Sequence, residues 1–161
     1  MLELWQTIFA GLTLIVFAVT ASVALAQLRH MRVTYQMTNA SALLENYWTP
    51  QFQSWLRYVF YELEEKVKDP KFCEELRLVP VDKSRHPEIY VCEYYSLIGA
   101  YMKNGLMPRD IFFANGSLDA IRAWERLELP VQIMRDADSP IVYRDFELLA
   151  SQCRAWLAAH A

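Results

Sequence analysis

The sequence predicts an all-α protein, in which a single N-terminal transmembrane helix precedes a small cytoplasmic bundle of about five to six helices. Three observations predict it. No ionisable side chain occurs between Glu3 and Arg29, so the hydrophobic excess of the chain is concentrated at its N-terminus. Beyond that stretch, apolar residues recur at spacings of three and four, and no segment alternates with period two or carries a hairpin signal. Proline, glycine and capping residues punctuate these stretches where helices begin and end.

Residues 4–28 read LWQTIFAGLTLIVFAVTASVALAQL. As a helix they span about 37 Å, enough to cross a hydrocarbon core of roughly 30 Å with some tilt. Thr7, Thr13, Thr20 and Ser22 can bond back to their own helix, and Trp5 stands where an interfacial aromatic is expected. Arg29 and Arg32 follow directly, whereas only the acidic Glu3 precedes; positive charge stays inside, which puts the N-terminus outside and the rest in the cytoplasm. Ala24-Leu25-Ala26 has the form of a signal-peptidase site. The missing N-terminal positive charge, the long apolar run and the arginines behind it favour an uncleaved anchor. Ala18, Ser22 and Ala26 share one helix face, a small-residue row on which a second membrane helix could pack.

Residues 29–48 contain no glycine or proline and read as a juxtamembrane extension; 49–161 read as the helical domain. Thr49-Pro50 caps and starts a helix carrying Phe52, Trp55, Leu56, Val59, Phe60, Leu63 and Val67 on one face. Glu62–Lys66 and Glu64–Lys68 mark its solvated side. Asp69-Pro70 repeats the signal for a short helix to about Leu78, and a polar loop runs to His86. Pro87 to Lys103 is apolar around most of its circumference, including Leu97, as befits a central helix, and Asn104-Gly105 ends it. Pro108 opens a short helix closed by Asn115-Gly116. Ser117 then caps another, striped by Ile121, Trp124, Leu127, Val131 and Met134, which Pro130 should kink or divide. After Ser139-Pro140, a last helix from about Tyr143 turns Phe146, Leu149, Cys153, Trp156 and Leu157 inward. The stretch after the anchor is long enough to bury a core.

Several function classes lack their residues. The 16 Lys and Arg, all beyond the anchor, face 18 of the 19 acids without basic blocks, which argues against nucleic acid. Cys73, Cys92 and Cys153 form no CxxC or Cys–His pattern, so neither a disulfide framework nor a zinc site is expected. His30, His86 and His160 stand outside metal-site spacings. A Cys92/His86 nucleophile pair is outweighed by the packing role of a cysteine on an apolar helix. No catalytic, cofactor or metal residue is expected. The Asn39-Ala40-Ser41 and Asn115-Gly116-Ser117 sequons are chance matches in a cytoplasmic domain. Arg135 and Glu147, late in one helix and early in the next, are expected to form a structural ion pair near Trp124.

Tyr95-Ser96-Leu97-Ile98-Gly99, Lys103-Asn104-Gly105-Leu106-Met107, Asp110-Ile111-Phe112, Trp124, Arg135 and Phe146-Glu147 together resemble an uncharacterised bacterial family, a domain of unknown function. The resemblance covers about residues 40–155. It implies a helical fold, a membrane helix and the cell inner membrane, and no activity. The expected function is a membrane-anchored protein-interaction module, with the lipid bilayer and a protein partner or second copy as its contacts. A specific version is an accessory subunit of a larger membrane complex. The alternative is an enzyme or small-ligand sensor with a pocket among the last three helices. An enzyme should show converging ionisable groups in a concavity, an interaction module an apolar patch with dispersed charges.

Overall fold

The structure is a computed structural model that describes residues 2–160, with the side chains of residues 2–5, 7, 8, 10 and 44 outside the described set. Among the described residues there are seven helices and no strand: α1 (Leu2–Tyr47), α2 (Pro50–Tyr61), α3 (Leu63–Lys66), α4 (Pro70–Glu75), α5 (Glu88–Lys103), α6 (Arg109–Ala137) and α7 (Arg144–His160). The chain divides into two compact units, Met1–Thr38 and Asn39–Ala161. The boundary falls inside the stretch read as a juxtamembrane extension, because Ala40 and Leu43 are already buried in the second unit's core.

In the first unit, every side chain from Gly11 to Tyr35 is exposed. The stretch Gly11–Tyr47 contains a window of mean hydropathy 2.0, and by length and composition this helix could cross a membrane. Thr13, Thr20 and Ser22 donate to the carbonyls of Phe9, Val16 and Ala18, each at 2.8 Å, so their hydroxyls are satisfied without water.

The second unit is built around α5, which packs against α7, α2 and α6. Thr49 caps α2 by accepting from the Phe52 N–H, and Asp69 caps α4 by accepting from that of Lys71. The apolar face of α2 is interrupted at Glu62, which separates it from α3. Lys68 then pairs with Glu65, and Glu64 reaches Arg126 on α6, in place of the two pairs expected along one helix. Gly105 takes the left-handed conformation (φ 66°) that ends α5. Phe146 of α7 stacks on Tyr95 of α5 at 5.0 Å and meets the edge of Trp124 of α6 at 5.1 Å, tying three helices together. Gly99 permits the closest approach of α5 to α7: a Cβ there would lie 2.2 Å from the Asp145 carbonyl oxygen.

Two expectations are corrected, and of the two outcomes open at Pro130 one is removed. The break at Asn115-Gly116 does not occur, and α6 runs through it. Each of the three residues that suggest a turn is used inside the helix instead. Asn115 donates to the Ile111 carbonyl at 2.8 Å, and the buried Ser117 hydroxyl donates to that of Phe113 at 2.7 Å. Gly116 makes room for the Phe112 ring. Pro130 does not divide α6 either; its ring is buried in the core, whose packing outweighs the one backbone bond it forgoes. Leu97 points outward, so α5 keeps one solvated strip beside Glu93.

Candidate functional site

A concavity of about 450 Å³ lies wholly within the second unit. Its walls are aromatic: Tyr47 from α1, Trp48 just beyond it, Tyr94 and Tyr95 from α5 and Phe112 from α6. Aliphatic Leu43, Ile98 and Met107 fill between them, and Gly116 and Asp119 of α6 complete the rim. α7 contributes nothing to the lining, so the cavity is not among the last three helices alone; the end of α1 replaces α7.

The rings are set by one another. Trp48 meets Tyr47 edge-on at 5.2 Å, and Tyr94 meets Tyr95 edge-on at 5.2 Å, the geometry that ring quadrupoles favour. The Tyr47 hydroxyl donates to Asp119 Oδ2 at 2.8 Å, and the Tyr94 hydroxyl donates to the Leu43 carbonyl at 3.2 Å. The Tyr95 hydroxyl is sealed from solvent and has no hydrogen-bond partner among the described residues. Burial is the main cause that pushes all three phenols above their ordinary pKa, so they stay protonated at neutral pH. Among the described residues, Asp119 is the one carboxylate lining this ring-walled cavity.

A second polar group is sealed inside the fold. His86 Nδ1 lies 2.8 Å from Glu88 Oε1, both fully buried, and His86 Nε2 lies 3.4 Å from Glu75 Oε2 without hydrogen-bonding geometry. Arg85 closes the group from outside, 2.8 Å from Glu75 Oε1. Burial pushes the Glu88 carboxyl above its usual value, against the lowering influence of His86. This arrangement braces the start of α5 against α4. Sequence spacing gives no hint of Glu75, which the fold of the loop brings to His86; the His86-Pro87-Glu88 triplet is the one local signal.

The remaining singled-out residues are placed as follows. Arg135 Nη2 lies 2.8 Å from Glu147 Oε2, its Nε donates to the Val142 carbonyl at 2.9 Å, and its guanidinium sits 5.9 Å from the Trp124 ring. Cys92 is fully buried, and burial pushes its thiol well up, the opposite of an activated nucleophile; His86 is turned to carboxylates. Among the described residues, no group of His, Cys, Asp and Glu has the geometry to hold a metal ion. Ala18, Ser22, Ala26, Arg29 and Arg32 are exposed along α1, whereas the Trp5 side chain lies outside the described residues. Asn39 donates to the Leu106 carbonyl at 3.3 Å.

Neither a curated protein nor a solved structure matches the chain. A family model does, over residues 14–154, a range that takes in most of α1, the whole aromatic cavity and the packed helices around it. The chain belongs to the family described as a domain of unknown function, DUF4760.

Proposed function

We propose that this protein is a single-pass inner-membrane protein whose cytoplasmic helical unit recognises a small ligand. The apolar stretch of α1 would serve as its anchor, with the N-terminus outside and Arg29 and Arg32 holding the inner boundary. The observation that carries ligand recognition is the cavity of about 450 Å³ walled by Tyr47, Trp48, Tyr94, Tyr95 and Phe112. Its size falls within the roughly 300–1,000 Å³ of small-molecule sites, which are apolar with a few placed polar groups. Catalysis is a poorer fit. Acid–base or nucleophilic chemistry calls for converging groups that exchange protons near neutral pH, and here phenols held protonated surround one carboxylate.

A protein-interaction module, including an accessory subunit of a membrane complex, is the second reading. It is favoured by the exposed Trp48, Leu106 and Ile111 and by the small-residue row Ala18, Ser22 and Ala26. Two experiments test the proposal. Alkaline extraction and protease protection in intact cells should leave the protein in the membrane with its C-terminus shielded from outside. The full-length protein in maltoside micelles, screened by ligand-observed NMR against a fragment set, should give hits that are lost in Ile111→Trp, which enlarges a side chain that also lines the cavity. No hits, or hits indifferent to that substitution, would remove ligand recognition and leave the interaction reading.

A further inference from the structure

We infer that the ligand of this cavity is a small organic cation, an amine protonated at neutral pH on an apolar body, with Asp119 as its counter-ion. The inference rests on the cavity being the ligand site. Asp119 is half-buried, and its Oδ2 accepts from the Tyr47 hydroxyl at 2.8 Å. A carboxylate has about four acceptor positions, so one phenol leaves most of its capacity unused. Among the described residues, none of the lysines, arginines or histidines comes within ion-pairing distance of it. A half-exposed carboxylate beside aromatic walls, without a cationic partner of its own, leaves that place to a cation supplied by the ligand.

The walls suit the same occupant. Five aromatic residues line the cavity, and aromatic faces attract ammonium groups as well as apolar bodies. The Tyr95 hydroxyl is sealed beneath the wall and offers the ligand nothing, so Asp119 is the acceptor a cation would meet. The Tyr47 proton is already committed to Asp119, and that of Tyr94 to the Leu43 carbonyl. An anionic ligand would meet Asp119 repulsively, and a neutral one would leave its charge uncompensated.

The test compares phenethylammonium with phenethyl alcohol, which match in body and differ in charge, on the full-length protein in maltoside micelles with empty micelles as blank. The amine should bind about tenfold more tightly than the alcohol, a ratio typical of one desolvated cation–π or charge contact. Asp119→Asn should level the two, with thermal unfolding checked in parallel. Equal binding of amine and alcohol by the wild-type protein would overturn the cation while leaving the cavity a ligand site. Failure of the amine to bind at all, or unchanged amine binding by Asp119→Asn, would overturn it as well.

Discussion

Replacing Gly99 by alanine tests whether α5 and α7 are held at the separation described. In an isolated helix the change is favourable, because alanine exceeds glycine in helix propensity by about 1 kcal/mol. Here the added Cβ would lie 2.2 Å from the Asp145 carbonyl oxygen and 2.8 Å from its carbon, against ordinary contacts of 3.4 Å and beyond. The obstacle is backbone, which cannot rotate aside as a side chain can, so the helices must part by about an ångström. That shift would loosen the Tyr95–Phe146 stack between the same two helices. Overpacking costs about 1–3 kcal/mol and sometimes more, which outweighs the propensity gain. Because the obstacle is backbone, the cost falls in the upper part of that range, about 2–3 kcal/mol, and the expected net loss is about 1–2 kcal/mol, lowering the melting temperature by a few degrees for each kcal/mol. Thermal unfolding followed by circular dichroism in micelles measures it. Two controls calibrate the result. Gly11→Ala has nothing within 4 Å and should be neutral or slightly favourable, whereas Gly116→Ala meets the movable Phe112 ring at 2.7 Å and should lose less than Gly99→Ala. A Gly99→Ala protein as stable as wild type would refute the close approach.

Arg135→Ala removes the Val142 carbonyl contact, the Glu147 pair and the Trp124 ring contact together, and should cost about 1–3 kcal/mol. Glu147→Ala, removing a half-exposed partner, should cost under about 1 kcal/mol; equal losses by denaturant titration would count against the asymmetry. Glu88→Gln should change the pH profile in a fixed direction. A carboxyl raised by burial above its usual 4.5 holds its proton better in the folded than in the unfolded state. Its contribution to stability is therefore greatest below that value and is lost as pH rises through the raised one. The melting temperature of Glu88→Gln relative to wild type should thus climb between mildly acid and neutral pH, and a difference that falls with rising pH would contradict the burial argument. Maleimide should label the half-buried Cys73 in the native protein but reach Cys92 and Cys153 only on unfolding; three equal rates would contradict the packing of α5 and α7.

By itself, the sequence determined the features that depend on short-range chemistry. The long apolar helix at the N-terminus, the caps at Thr49-Pro50 and Asp69-Pro70, the end of α5 at Gly105 and the inward faces of α2 and α7 follow from spacing and from residues that suit helix ends. What lies between Phe113 and Leu118 was decided within α6 itself: Asn115 and Ser117 bond back to carbonyls one turn earlier and Gly116 makes room for the Phe112 ring, so residues with turn chemistry are absorbed by the helix. Tertiary packing decided Pro130, whose ring is buried in the core, and Leu97, which is left facing water. The cavity was invisible in the sequence because its walls come from three separate stretches, 40–48, 94–107 and 111–119, and no local pattern records that they converge. Tyr47 and Asp119 stand 72 residues apart, and the Tyr95 hydroxyl reads in sequence as one more aromatic on a core helix. Only the folded chain brings a carboxylate without a cationic partner among the described residues to the rim of an aromatic hollow, since burial and charge pairing belong to spatial neighbours and not to neighbours in the chain.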